Sequence, residues 1–230
     1  MEKEEKKTVS SRLNAWLTKY RIVLLSIIGI LIVASVVFAV VYMIDQKNKK
    51  TGFNALDDLE YQYVNLKNEA SPDNETDEQK EKAQEILIQV KNLADKNSGN
   101  PVGSRSYMFE AEIEFSKGDY AAAKDSWLKA VASNEKAYTS PLCWYNAAVC
   151  CENLGDLDGA VELLLKALER KDFSLKVRAL YTLGRIEEQR QNYAKASEYY
   201  SKLYEDYSDT TLGKVAKSRL ITFQTEGFIQ

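Results

Sequence analysis

The sequence predicts an all-α protein: an N-terminal transmembrane helix, then a solenoid of antiparallel helix pairs with a C-terminal capping helix. Three observations carry this. Ile22 to Ile44 is a run of 23 residues without one charge. A block of turn, small and large residues recurs further along at spacings of 37 and 36 residues. The composition, with 3 prolines and 10 glycines in 230 residues and abundant Ala, Leu, Glu and Lys, is that of helices.

At the helical rise, Ile22 to Ile44 extends ~35 Å, enough for a ~30 Å hydrocarbon layer with some tilt. Only a helix satisfies its own backbone in lipid, so the stretch reads as a single span. A cleavable signal sequence would have a shorter apolar core, and only Val37-Phe38-Ala39 offers a weak cleavage site. Ser35 and Ala39 have the small-residue spacing of paired membrane helices, from which a weak homodimer is the expectation.

Residues 1–9 alternate Glu and Lys and read as disordered. Ser10 or Ser11 reads as an N-cap. Leu13, Trp16, Leu17 and Tyr20 follow at helical spacing, making a short amphipathic helix suited to the membrane interface. Lys3, Lys6, Lys7, Arg12, Lys19 and Arg21 precede the span, and only Lys47, Lys49 and Lys50 closely follow it. The excess places the N-terminus in the cytoplasm and the remainder across the membrane.

Residues 1–50 hold 9 of the 31 basic and 4 of the 34 acidic residues, leaving 22 and 30, a net of −8, for the rest. So acidic a remainder argues against nucleic acid as a partner and against lying flat on anionic lipid. There is no histidine, which removes His-based triads and the commonest metal ligand. No cofactor, metal or catalytic residue is expected, and the chain reads as a non-enzyme. Cys143, Cys150 and Cys151 share one predicted helix, where residues seven apart are too distant for a disulfide; they read as small buried apolar residues.

The expected organisation is a tail at 1–21, the span at 22–44, a juxtamembrane link at 45–52 and a helical hairpin at 53–100. Three repeats at 101–209 and a capping helix and tail at 210–230 complete it. In the hairpin, Phe53, Leu56, Leu59, Tyr63 and Leu66 form one apolar stripe, and Ala83, Ile86, Leu87, Val90, Leu93 and Ala94 another. Glu69 to Glu75 reads as a loop, with a glycosylation sequon at Asn74. Asn97 to Pro101 reads as a stop, with Gly99 supplying the left-handed turn.

The repeats are the most specific signal. Gly118-Asp119-Tyr120, with Ala123, Trp127 and Ala130, recurs as Gly155-Asp156-Leu157 with Ala160, Leu164 and Ala167. It recurs again as Gln191-Asn192-Tyr193 with Ala196, Tyr200 and Leu203. A small residue, Ala111, Ala148 or Gly184, stands seven before each turn. The turn reverses one helix into the next and the small residues let the two helices approach. Neither pair buries its apolar face alone, so neighbours must stack.

This pattern resembles the tetratricopeptide repeat (TPR), with Tyr107, Trp144 and Leu180 in its first large-residue slots. The resemblance covers Ser104 to about Tyr207, with periods longer than the family's usual 34, no Gly in the third turn and Pro141 displaced. It implies a TPR-like α-solenoid that binds a protein on its concave face. Carried over, that face is Arg105, Met108, Glu112 and Phe115 from the first repeat. The second repeat supplies Tyr145, Val149, Glu152 and Asn153, and the third Arg178, Tyr181, Arg185 and Glu188. The carboxylate clamp of some chaperone-binding members is not matched: Asn146 and Arg178 fall near two of its slots, but Met108, Glu112 and Thr182 occupy the others.

The whole layout resembles the bacterial ancillary SecYEG translocon subunit family, single-span proteins of the inner membrane with a periplasmic TPR domain. That resemblance implies a membrane-anchored interaction module, a scaffold or chaperone-like accessory factor. Its implied partner is a translocon or envelope-assembly component or a client polypeptide. The alternative is a signal-anchored receptor facing the cytosol, of the protein-import type.

Overall fold

In the computed structural model, residues 9–69 and 76–229 are described, and among them the regular structure is entirely α-helical. Two units are distinguished, Met1–Thr51 and Gly52–Gln230. The readings of residues 1–8, and of the loop and sequon at 70–75, lie outside the described residues.

Helix α1 runs over Val9–Glu69. Ser10 and Ser11 are helical, which corrects their reading as an N-cap. The expected link at 45–52 is helical too: it contains no proline, its single glycine, Gly52, lies within the helix, and Lys49 pairs with Asp45 one turn back at 2.6 Å. The apolar part of α1 is the one helix among the described residues long and apolar enough to cross a membrane, and none of its most apolar window is buried.

The second unit begins at Gly52, where a Cβ would press on Val102 at 2.8 Å. Helix α2 (Asp77–Lys96) starts at a reciprocal cap: the Thr76 hydroxyl accepts from Gln79 N–H while the Gln79 amide oxygen accepts from Thr76 N–H. Its end corrects the expectation for Gly99, whose φ is not positive. Asn97 closes the helix itself, with its backbone N–H bonded to Ala94 O and its side-chain amide donating to Leu93 O at 2.8 Å. With those carbonyls satisfied, no left-handed residue is required.

Three helix pairs follow: α3 (Pro101–Ser116) with α4 (Tyr120–Ser133), α5 (Ser140–Asn153) with α6 (Leu157–Glu169), and α7 (Lys176–Gln189) with α8 (Tyr193–Tyr207). Helix α9 (Thr211–Thr225) packs on α8 and α7. From α2 onward each helix packs on the next, the arrangement of a stacked solenoid.

The turn within each pair explains its two-residue signature. Gly118 and Gly155 adopt φ of 79° and 77°. The N–H of the following residue then reaches back to the helix just ended: Asp119 to Glu114 O at 3.0 Å, Asp156 to Cys151 O at 2.9 Å. The same aspartates cap the next helix, accepting from Ala122 and Gly159 N–H at 3.1 and 2.9 Å. In the third pair Asn192 performs both tasks, and Gln191 takes φ of 60° without glycine's freedom.

Within the pairs, Ala111, Ala123, Ala148, Ala160 and Ala196 are fully buried, and Trp127, Leu164 and Tyr200 fill the adjoining space. At Gly184 even a methyl group would overlap the Tyr200 ring. The apolar stripes of α1 and α2 meet Phe109 and Ile113 of α3 in a core of their own, so the hairpin stacks onto the first pair.

The turns generate a paired prediction. Gly118→Ala lowers stability by about 1–2 kcal/mol, because open space surrounds the site and only the left-handed backbone resists. Gln191→Gly removes the same strain less the entropy of glycine, for a gain of about 0.5–1 kcal/mol. Urea unfolding of the full chain in detergent, followed by circular dichroism, measures both.

Candidate functional site

Ten of the twelve residues expected on the binding face line hollows along α3, α5 and α7, and Tyr145 and Arg178 line none of them. Arg105, Met108 and Glu112 border one of about 330 Å³ with Glu60 and Val64. Glu112 and Phe115 border a second, of about 220 Å³, with Trp127, Asn146 and Val149. Glu152, Asn153 and Arg185 line a third with Gln189. Tyr181, Arg185 and Glu188 line a fourth with Tyr193, Tyr200 and Arg219. Tyr145 is half-buried, its ring 6.2 Å from Phe173, and Arg178 is exposed. A wider hollow of about 570 Å³ adjoins the start of α3, between Phe53, Met108 and the exposed Tyr138.

Ion pairs tie successive elements across this face. Arg105 reaches Glu60 at 2.8 Å and Asp57 at 3.2 Å. Arg185 pairs with Glu152, and Arg219 with Glu188, which also accepts from the Tyr200 hydroxyl at 3.0 Å. Sequence reasoning missed Glu60 and Arg219 because both lie outside the three repeats. Arg219 carried a signal, since it stands 34 residues after Arg185, one ordinary TPR period on.

Glu112 makes no hydrogen bond or ion pair among the described residues. Its side chain is exposed, yet neighbouring atoms desolvate the carboxyl enough to raise its pKa; Glu60 adds to this and Arg105 opposes it. In the hollow that Glu112 shares with Phe115, Trp127 is 3 % exposed, and its indole N–H lacks an acceptor.

A second acidic group sits inside the solenoid and was not foreseen. Glu110 and Glu114, each 3 % exposed, share the Ser126 hydroxyl at 2.9 and 2.8 Å. Lys91 of α2 approaches Glu114 at 2.7 Å and Glu110 at 3.7 Å. One hydroxyl has one proton to donate, so the two carboxyl groups compete for it. Burial is the main cause raising the Glu110 pKa, with Ser126 and Lys91 opposing and Glu114 reinforcing. Paired carboxylates can serve acid–base catalysis, but these line none of the hollows. They join α2 to the first pair.

The thiols of Cys143, Cys150 and Cys151 are free and buried. Burial pushes Cys143 and Cys150 up to about 12 and raises Cys151 as well, so none is a ready nucleophile. No group of three metal-binding side chains occurs among the described residues.

Pairs closed by left-handed turns, small residues at the crossings and a row of hollows along the first helices define a TPR-like α-solenoid. Comparison with known proteins agrees. A family described as a domain of unknown function (DUF6340) matches residues 109–205. A Treponema pallidum (strain Nichols) protein named "TPR repeat-containing protein" is 30% identical over 117 residues, 51% of this chain and 49% of that one. The chain thus spans about half the length of this curated relative. Two crystal structures of nearly identical TPR-like repeats from Podosopora anserina, each 16% identical, superpose with TM-scores of 0.53 and 0.52. Each comparison covers 74% of this chain, and 86% and 87% of the respective structures.

The buried acids yield a pH prediction. Glu110 holds its proton more tightly folded than unfolded, so its share of stability is full below the ordinary value of 4.5 and is lost as pH rises through the raised native value. Glu110→Gln removes that loss, so its stability relative to the parent rises from pH 4 to pH 7 in urea titrations. Lys91→Met leaves the buried acids without their countercharge and costs about 2–3 kcal/mol, the low end for such pairs because the lysine is partly exposed.

Proposed function

We propose that this chain is a membrane-anchored protein-interaction module and not an enzyme. In this reading it is a scaffold or chaperone-like accessory factor beside a translocation or envelope-assembly machine, and it engages a component of that machine or a client polypeptide. The observation that carries the reading is the row of hollows along α3, α5 and α7 in a chain that also has an unburied, membrane-length apolar helix. TPR-like solenoids offer such rows to polypeptides, and a span holds the binding surface at high local concentration beside its membrane partner.

The excess of basic residues before Ile22 supports a cytoplasmic N-terminus and an extracytoplasmic repeat domain in a bacterial inner membrane. The three free thiols do not oppose this: buried thiols of raised pKa are poorly reactive even in an oxidising compartment.

Sidedness and partner are tested together. The native cysteines are buried, so a reporter is placed at exposed Ser174 (Ser174→Cys). A membrane-impermeant maleimide is expected to label it in intact spheroplasts. Labelling only after permeabilisation supports the cytosol-facing receptor instead. A photocrosslinking residue at Phe115 or Tyr181 is expected to capture a translocon or envelope-assembly component. Reproducible recovery of no such component overturns the accessory role.

A further inference from the structure

The ion pairs on the binding face form a ladder with one missing rung. Arg219 of α9 pairs with Glu188 of α7, and Arg185 of α7 with Glu152 of α5. Each arginine and each acid stands about one repeat from its counterpart in the next rung. One repeat further back, the arginine position falls on Val149 of α5 and the acid position on Phe115 of α3. The step from α5 to α3 is therefore apolar, and Phe115 and Val149 border the same hollow. The arginine position of α3 itself is Glu112, at the rim of that hollow, with no partner among the described residues.

Elsewhere the ladder occupies its own acids. Glu152 and Glu188 each hold an arginine of the chain, and Arg105 is shared between Glu60 and Asp57. At the missing rung two apolar walls lead to one open carboxylate. That combination complements a long side chain with an aliphatic stem and a cationic tip.

We propose that the hollow between α3 and α5 receives one lysine or arginine side chain from an extended segment of a partner polypeptide, with the stem along Phe115 and Val149 and the cation on Glu112. This deepens the interaction-module reading and rests on it. A carboxylate-bearing ligand is disfavoured there by charge. A cation placed on Glu112 opposes the burial and the neighbouring Glu60 charge that raise its pKa, as Arg105 already does in part.

The test uses the full chain in detergent micelles and short fluorescent peptides of one Gly-Ser-Leu background, differing only in a central Lys, Arg, norleucine or Glu. Anisotropy is expected to show binding of the Lys and Arg peptides, about tenfold weaker binding of norleucine and none of Glu. Glu112→Gln is expected to reduce affinity for the Lys peptide about tenfold and leave the norleucine peptide unchanged. Val149→Arg places a cation of the chain in the same hollow as Glu112 and is expected to abolish Lys-peptide binding while preserving helicity. Glu162→Gln, which alters an exposed acid paired with Lys166 on α6, is expected to change nothing. Equal affinity for Lys and norleucine peptides, or full affinity in Glu112→Gln, overturns the proposal and leaves the interaction-module reading standing. Binding of no peptide in the set overturns both.

Discussion

The close approach of the two helices in each pair is the constraint on which the rest of the solenoid depends. At Ala111, Ala148 and Gly184 the first helix presents almost nothing, and the second helix fills the space with Trp127, Leu164 or Tyr200. Interiors of this density tolerate neither an added methyl nor a void. The turns must then deliver each second helix at the right height. The left-handed residue followed by a capping Asp or Asn does so, satisfying the end of one helix and the start of the next within two residues. Because every pair is closed in the same way, side chains at equivalent positions fall into a row. The row of hollows is a by-product of the packing.

That dependence explains what could be read from the amino acids. The turn blocks and the small and large slots are local patterns tied to backbone geometry, and the blocks at Gly118, Gly155 and Gln191 coincide with the left-handed turns between paired helices. Gly99 misled because glycine is only one of several ways to end a helix, and the Asn97 side chain supplied another. The helix through 45–52 was hidden because neither polar composition nor the single Gly52 is enough to break a helix. Glu110 and Glu114 were unreadable for a different reason. Burial of a charge is decided by partners far away in sequence, here Lys91 and Ser126, and no periodicity announces such a meeting.

The candidate face was legible as positions but not as chemistry. Carrying the TPR slots over named twelve residues, and the structure gathers most of them around the hollows. It also shows that several are already engaged with each other or with Glu60 and Arg219. A mixed row of aromatic and charged residues in sequence thus separates into two kinds: side chains that hold neighbouring repeats together, and a few left over.

The energetics favour attending to the second kind. Partly exposed ion pairs such as Arg185 with Glu152 contribute on the order of 0–1 kcal/mol each, so the ladder adds little to a fold already held by its buried Ala, Leu and aromatic residues. Its larger effect is on ligands. An acid that already holds an arginine offers an incoming cation only an exchange of one partner for another, with little net gain. An acid beside apolar walls with no partner of its own offers a new contact, made in surroundings that screen it less than open water does. Along a face built of nearly equivalent positions, discrimination therefore concentrates where the internal pairing fails. In this chain that place is Glu112, with Phe115 and Val149 beside it.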